Sequence, residues 1–262
     1  MGDLADYVAR SNATGEGGTV IPKEIQACVF DLDGVITDTA SVHAAAWTRM
    51  FDDFLRSRPG ASGEDLRPFE PGDYRRYVDG KPRYDGVKSF LESRDISIPY
   101  GSPDDPPERE TICGLGNRKN EEFQRHLDEN GVTVFPDTIA FIEGLHRRGI
   151  RTAVISASRN CRPVLRAAGV EDLFETRVDG VVAAELGLAG KPDPAVFLEA
   201  ARRLGATPDQ AAIVEDALAG VEAGRRGGFA LVIGVDRTGH GDDLRKAGAD
   251  IVSSDLAQLL EE

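Results

Sequence analysis

Five short apolar runs, separated by longer amphipathic stretches, limit how this chain can fold more than any other feature. Each run has the length of a buried strand and is flanked by turn residues. The stretches between them repeat apolar residues at i, i+3 and i+4, the spacing of a helix that covers a core. The predicted strands are Ala27–Leu32, Thr152–Ser156, Ala212–Glu215, Leu231–Val235 and Asp250–Val252. The predicted helices are Asp137–Arg148, Arg159–Ala168, Pro194–Leu204 and Ala217–Gly224. Strand and helix in alternation predict an α/β fold, a Rossmann-like parallel sheet with helices on both faces.

Residues 41–131 break this alternation. Helices are predicted there, with no strand, at Ala44–Leu55, Tyr84–Arg94 and Asn117–Asn130. The segments between them are rich in Pro, Gly and Asp and are predicted to be loops, at Ser57–Asp73 and Ile96–Glu110. We therefore predict an α/β core domain, residues 24–40 and 132–262, with an inserted α-helical cap domain, residues 41–131. Residues 1–23 are Gly-rich and polar without a period, so they are predicted to form a flexible N-terminal arm.

Charge and composition argue against several classes of function. The formal net charge of −14 is unfavourable for binding nucleic acid or an anionic membrane surface. No apolar run approaches the roughly 18–20 residues that span a bilayer, and the N-terminus lacks the order of a secretory signal. The three cysteines form no C-x-x-C pair, so neither a disulfide framework nor a structural zinc site is expected. We expect a monomeric, cytoplasmic protein.

Polar side chains follow three of the predicted strands at the point where each strand ends. These are Asp31, Ser156 and the pair Glu215 and Asp216. Parallel α/β sheets bind their ligands outside the carboxyl ends of the strands. The three positions are therefore expected to converge at one edge of the sheet.

Asp31 and Asp33, in the motif Asp-Leu-Asp-Gly, are the first candidate catalytic residues. A carboxylate at a strand end can act as a nucleophile and as a metal ligand, and a second carboxylate can exchange a proton with a substrate oxygen. The alternatives are a helix cap or the first half of a calcium loop. The calcium loop is disfavoured because its twelfth position, which should be Glu, is Val42.

Glu215, Asp216 and Lys191 each have a functional and a plain structural interpretation. The two acidic residues can cap the following helix, or they can join Asp31 in an all-oxygen site of the kind that Mg²⁺ prefers. Lys191, in a loop before a proline, is either solvated or is the cation that stabilises phosphoryl transfer to a carboxylate.

The segment Ser156–Asn160 runs from a strand end into a helix start. Its backbone N–H groups and hydroxyl can bind an anion. The alternative is ordinary helix capping by Ser158 or Asn160, and one residue can serve both purposes.

Taken in order, these motifs resemble the four-part pattern of the haloacid dehalogenase-like phosphatase and phosphomutase superfamily. The four parts here are Asp31–Gly34, Ser156, Lys191–Pro192, and Glu215–Asp216 with Gly220 nearby. Within the superfamily the chain resembles the β-phosphoglucomutase family, in Phe30–Thr39 followed by His43 and Trp47, and in Ser156–Asn160. The resemblance is strong over residues 26–47 and 132–256 and thin through the insertion.

The resemblance implies a role for each residue of the core motifs. Asp31 would be the nucleophile that becomes aspartyl-phosphate, and Asp33 the general acid and base. The Mg²⁺ ligands that it implies are Asp31, the backbone carbonyl of Asp33, Glu215 and Asp216. The groups that it implies for binding the transferring phosphoryl are Ser156, the amide of Ala157 and Lys191.

A mutase also needs a second phosphate site, because its bisphosphate intermediate must be held at both ends. In the family this site lies between core and cap, and the matching residues here are Ser158, Arg159, Asn160 and the cap residue Arg83. For substrate binding, the resemblance implies Gly80, a His43 that faces the site, a Lys119 that approaches the sugar, and Trp47 along the cap interface. The alternative for His43 and Trp47, one helical turn apart, is simple packing at the hinge. One departure is that Asp79 replaces the family Lys before the cap Gly, while Lys81 lies on its other side.

The activity that the resemblance implies is the interconversion of β-D-glucose 1-phosphate and glucose 6-phosphate. It would proceed through the aspartyl-phosphate enzyme and glucose 1,6-bisphosphate, with the cap closed to exclude water. The alternatives are a sugar-phosphate phosphatase on the same scaffold and a non-catalytic sugar-phosphate-binding domain. The other histidines, His126, His146 and His240, have no metal spacing and are predicted to be surface residues.

Overall fold

The computed structural model describes residues 21–60 and 63–260, which divide into two compact units. One unit is Thr39–Val132, and the other joins Thr133–Glu262 to the segment that ends at Asp38. Most of the predicted N-terminal arm, residues 1–20, lies outside the described residues. In the described part of the chain, no helix is both long enough and apolar enough to cross a membrane.

The unit Thr39–Val132 is helical, and its described residues contain no strand. Its long helices are α1 (Ala40–Ser57), α2 (Arg83–Ser93) and α3 (Ile112–Asn130). A short helix, Pro71–Asp73, leads into a π-helical turn, Tyr74–Val78, at the end of the first predicted loop. The three predicted helices are thus confirmed, each with a longer N-terminal part.

An aromatic cluster forms the core of this helical unit. Trp47 stacks on Phe51 with ring centroids 5.3 Å apart, and Phe51 packs against Phe69 and Phe90. These rings are at most 5% exposed. Burial of large aromatic surfaces is a major source of stability in a small helical domain, so this unit has a hydrophobic core of its own.

The other unit is built on a six-stranded parallel sheet, which confirms the predicted fold class. The strands are β1 (Ala27–Asp31), β2 (Arg151–Ile155), β3 (Thr176–Val178), β4 (Ala211–Glu215), β5 (Leu231–Val235) and β6 (Ile251–Ser253). They lie in the order β3-β2-β1-β4-β5-β6. Every residue of β1, β4 and β5 is buried, as expected when helices cover both faces of a sheet.

Helices connect these strands along the chain. They are α4 (Pro136–Arg147), α5 (Cys161–Ala167), α6 (Gly180–Leu186), α7 (Ala195–Arg203), α8 (Leu218–Arg226) and α9 (Gly241–Ala247). The sequence pattern missed α6, α9 and β3. Each has seven residues or fewer and so shows few repeats of any period, although the equally short α5 and β6 were predicted.

Strand register brings the polar strand ends to one level of the sheet. Asp31, the last residue of β1, pairs with Ile155, so Ser156 follows directly at the same edge. On the other side of β1, Phe30 pairs with Val214, so Glu215 lies level with Asp31. The carboxyl ends of β2, β1 and β4 therefore form one contiguous edge, as the sequence predicted.

Candidate active site

Lys191 lies between two of the strand-end carboxylates. Its Nζ is 2.5 Å from Asp31 Oδ1 and also contacts the carboxylate of Glu215. All three residues are buried, with Glu215 fully so. Burial alone would lower the pKa of the Lys191 ammonium, but the carboxylates of Asp31 and Glu215 outweigh it and raise the pKa above its ordinary value. The lysine is therefore a buried cation of the site rather than a solvated loop residue.

Replacing Lys191 by Met is expected to destabilise the protein by about 3–5 kcal/mol, because it leaves two buried carboxylates without their cation. The measurement is the free energy of unfolding from urea titration, in buffer containing EDTA. The matched control is Lys246→Met, which removes an exposed lysine from a surface pair with Asp243. It should change the stability by no more than about 0.5 kcal/mol. Equal stability of the two variants would contradict a structural ion pair at Lys191.

Three carboxylates of this edge lie close enough to share an ion. Asp31, Glu215 and Asp216 each offer an oxygen, and these oxygens all lie within 4.8 Å of one another. One lysine faces these three carboxylates, and burial raises the pKa of the Asp31 carboxyl well above its ordinary value although Lys191 opposes the rise. Carboxylate oxygens are the ligands that hard divalent cations prefer. The residues present thus fit a divalent metal site.

Two glycines provide the space that these carboxylates occupy. Gly34 has a φ of +87°, and a Cβ on it would lie 1.8 Å from Asp216 Oδ2. A Cβ on Gly220 would lie 1.8 Å from Glu215 Oε1. Each acidic side chain therefore packs directly on a glycine backbone, and both positions require the absence of a side chain.

Asp33 is held next to the end of β2. Ser156 Oγ donates a hydrogen bond of 3.0 Å to Asp33 Oδ2, and the backbone N–H of Asp33 donates to Asp31 Oδ2 at 2.9 Å. Ser156 Oγ in turn accepts from the N–H of Ser158 at 3.0 Å. This chain of bonds orients two carboxylates and a hydroxyl at one point of the edge, an arrangement suited to proton exchange beside a nucleophile.

In the segment after β2, the Ser158 side chain binds the backbone of the turn that leads into α5, whereas the Asn160 side chain does not cap that helix. Ser158 Oγ accepts from the N–H of Asn160, and Asn160 occupies the N-cap position of α5 with no side-chain capping bond. Ala157 is half-buried and Arg159 is exposed. Asn160 therefore does not cap the helix, the Ser158 hydroxyl does bind a backbone N–H of the preceding turn, and the predicted anion-binding role of the segment stays a prediction.

In the helical unit, three predicted residues form one cluster. Lys119 Nζ contacts His43 Nδ1 and lies 5.2 Å from the centroid of the Trp47 ring and 4.9 Å from that of Phe123. His43 stacks on Phe123 with ring centroids 3.9 Å apart. Lys119 is only 5% exposed. The cluster therefore places an ammonium against two aromatic rings inside this unit.

Gly80 and Arg83 lie at the start of α2. Gly80 has a φ of +69°, and Arg83 Nη1 is 3.4 Å from Asn117 Oδ1. Lys81, which follows the glycine, donates a hydrogen bond of 2.9 Å to Ser89 Oγ, and burial lowers the pKa of its ammonium. The predicted substrate contacts of these cap residues stay predictions.

His240 is a residue of this edge that sequence reasoning assigned to the surface. Its Nε2 is 3.1 Å from the carbonyl oxygen of Asp216, and its side chain is only 14% exposed. The surface prediction was therefore wrong for His240, whereas His126 and His146 are exposed. The missed signal is its place in the loop after β5, at the carboxyl edge of the sheet.

Comparison with known proteins identifies the family. The model of the haloacid dehalogenase-like hydrolase family matches residues 25–228. A β-phosphoglucomutase of Mycobacterium bovis is 52% identical, covering 92% of this chain and 93% of that protein. A β-phosphoglucomutase of Bacillus subtilis is 31% identical, and the match covers 91% of this chain and 95% of that protein. The crystal structure of a β-phosphoglucomutase from Clostridium difficile matches with a TM-score of 0.70 and 26% sequence identity. That match covers 90% of this chain and 93% of the crystallised one. The chain belongs to the haloacid dehalogenase-like hydrolase superfamily and, within it, to the β-phosphoglucomutase family.

Proposed function

We propose that this chain is a Mg²⁺-dependent β-phosphoglucomutase, which interconverts β-D-glucose 1-phosphate and glucose 6-phosphate through an aspartyl-phosphate and glucose 1,6-bisphosphate. The observation that carries the proposal is the high identity to β-phosphoglucomutases over nearly the whole chain. The site supplies the groups that this reaction requires: a buried nucleophile, a second carboxylate and a cation. A cytoplasmic location and a monomeric state remain predictions.

Asp31 would carry the phosphoryl group. Its Oδ2 accepts the backbone N–H of Asp33, and its Oδ1 contacts Lys191. In the phosphorylated enzyme the 6-hydroxyl of glucose 1-phosphate attacks the phosphorus, the bond to the Asp31 oxygen breaks, and the carboxylate is released. The reverse attack by Asp31 on the 1-phosphoryl of the bisphosphate regenerates the aspartyl-phosphate and frees glucose 6-phosphate.

Asp33 would move the proton in both half-reactions. It accepts the proton of the attacking 6-hydroxyl and later returns a proton to the sugar oxygen that leaves phosphorus. The bond from Ser156 Oγ orients its carboxylate for this exchange. Lys191 supplies a fixed positive charge beside the nucleophile, where negative charge accumulates during transfer. Asp31, the Asp33 carbonyl, Glu215 and Asp216 would hold Mg²⁺, which when bound neutralises charge on the phosphoryl oxygens.

A second phosphate site distinguishes a mutase from a phosphatase. Arg83 and the Ser158–Asn160 segment are proposed to bind the phosphate that is not being transferred, with Arg groups offering paired N–H donors. Ala157 is proposed to bind the transferring phosphoryl through its amide, together with Ser156. The other residues proposed for substrate binding are His43, Trp47, Gly80 and Lys119.

The second candidate is a sugar-phosphate phosphatase, which the description of the matched family as hydrolases favours. It would use the same aspartyl-phosphate, with water as the acceptor. The test is turnover of β- and α-glucose 1-phosphate with Mg²⁺ and a catalytic amount of glucose 1,6-bisphosphate. We expect glucose 6-phosphate from the β anomer alone. Release of inorganic phosphate from several sugar phosphates, without glucose 6-phosphate, would establish the phosphatase instead.

Replacing Arg83 by Ala is expected to lower mutase turnover by about 30-fold, since a charge-assisted hydrogen bond contributes roughly 2 kcal/mol. Hydrolysis of an aryl phosphate, which has no second phosphate to bind, should change less than about twofold. The matched control is Arg75→Ala, at an exposed position of the same unit, with both activities retained. If Arg83→Ala lowers mutase turnover and aryl phosphate hydrolysis equally, Arg83 does not bind the second phosphate.

A further inference from the structure

The loop between β5 and α9 reaches the main chain of a proposed metal ligand. His240 Nε2 lies 3.1 Å from the carbonyl oxygen of Asp216, in the bend between β4 and α8. A carbonyl oxygen only accepts hydrogen bonds, so Nε2 must be the donor. Because β4 ends at Glu215, Asp216 lies beyond the regular ladder of the sheet. The histidine therefore supplies a main-chain contact just where strand pairing ends.

Asp236 shapes the loop that carries this histidine. Its Oδ1 accepts the backbone N–H groups of Gly239 at 2.7 Å and His240 at 2.9 Å, and its Oδ2 accepts that of Gly241 at 2.9 Å. Thr238 Oγ1 lies 2.8 Å from Nδ1 of the His240 ring. Both nitrogens of the imidazole thus have partners, which fixes the orientation of the ring.

Arg237 ties the same loop to the segment that follows β1. Its Nη1 is 3.0 Å from Asp137 Oδ2, and its Nη2 donates to Thr138 Oγ1 at 3.0 Å. The Thr138 hydroxyl donates in turn to the carbonyl of Val35 at 2.7 Å, next to Gly34. The loop is therefore anchored to the backbone on which the Asp216 carboxylate packs.

We propose that His240 is a positioning residue, whose hydrogen bond to the Asp216 carbonyl holds the Asp216 carboxylate in place for the divalent cation. The inference rests on the proposed metal site. Rotation of the Asp216 main chain would swing its carboxylate away from Asp31 and Glu215, with which it shares the acidic cluster. The hydrogen bond from His240 opposes that rotation, and packing on Gly34 further limits the position of the carboxylate. Removing a residue that hydrogen-bonds to a metal ligand commonly weakens metal binding by about 10-fold or more.

The experiment compares three substitutions of His240 by direct metal binding, without substrate. In His240→Gln the side-chain amide nitrogen can occupy the place of Nε2 and donate to the carbonyl. In His240→Asn the shorter side chain carries its nitrogen near the place of Nδ1, and in His240→Ala the donor is absent. Affinity is measured by calorimetric titration with Mg²⁺ and by electron paramagnetic resonance with Mn²⁺. We expect about 10-fold weaker binding for Ala and Asn, and binding within about threefold of wild type for Gln.

The control is His126→Ala, which removes an exposed histidine of α3 and should leave metal affinity unchanged. Thermal unfolding of the metal-free proteins checks folding, and the Asn and Gln variants decide the question if the Ala variant is unstable. Unchanged affinity in both the Ala and Asn variants would overturn the proposal, as would a Gln variant as weak as Ala. If wild type itself binds neither ion, the metal site and this inference both fail, whereas mutase activity is tested separately.

Discussion

Asp31→Asn is expected to abolish turnover, with a loss of about 10⁴-fold or more, because the amide that replaces the carboxylate cannot form the acyl phosphate that carries the phosphoryl group between substrates. The side chain keeps its size, so the buried position that Asp31 occupies at the end of β1 should be retained. The measurement is turnover of β-glucose 1-phosphate together with trapping of the phosphoenzyme, or of a fluoride mimic of the phosphoryl group.

The matched control is Asp33→Asn, two residues away at the same edge. It removes the proton-exchanging carboxylate and leaves the nucleophile, so sugar turnover should fall. Phosphoenzyme formation from acetyl phosphate should persist in part, since that donor has a good leaving group that needs little protonation. If the Asp31→Asn variant were as active as wild type, Asp31 could not be the nucleophile. Loss of the acyl-phosphate from both variants alike would remove the distinction between the two carboxylates.

Gly34→Ala is expected to lower turnover by at least about 100-fold, because the new Cβ would displace a proposed metal ligand. An ideal Cβ would lie 1.8 Å from Asp216 Oδ2, so the carboxylate must move. Displacements of about 1 Å at a reacting centre can cost about 100-fold in rate. The measurements are turnover as a function of Mg²⁺ concentration and the affinity for Mg²⁺, and both should be impaired.

Gly187→Ala separates this effect from backbone strain. Gly187 ends α6 with a φ of +64°, and a Cβ there would meet nothing within 4 Å. Both variants force Ala into a left-handed conformation, which costs about 1–2 kcal/mol of stability. Only the Gly34 variant should lose activity. If Gly34→Ala is as active as Gly187→Ala, the observed position of the Asp216 carboxylate is not required for activity.

Of the numbered helices and strands, sequence reasoning missed β3, α6 and α9. The five predicted strands are all present, with ends shifted by at most one residue. β3, with the sequence Thr-Arg-Val, carries too few apolar residues to be recognised. Helix α6 is capped by the Asp179 carboxylate, which accepts the N–H groups of Val181 and Val182. Tertiary packing stabilises such elements more than their own composition does.

The residues of the candidate site were predictable from the sequence because they follow the ends of strands. Their hydrogen-bond and ion-pair partners were not predictable. Lys191 was recognised as a candidate from its motif, but its contacts with Asp31, 160 positions away, and Glu215 appear only in the folded chain. His240 was assigned to the surface because nothing near it in sequence suggests a ligand. Its partner, Asp216, is 24 positions away.

The parallel α/β core, the helical insertion and the acidic residues at the sheet edge could be predicted from the amino-acid sequence alone. These follow from local patterns, because apolar periodicity sets strands and helices, and parallel strands direct their carboxyl ends the same way. The contacts between side chains appear only in the folded chain, where Lys191 lies between two carboxylates, Asp216 packs against Gly34, and His240 binds the Asp216 carbonyl. Such contacts depend on strand order and loop conformation, which a short apolar run does not specify.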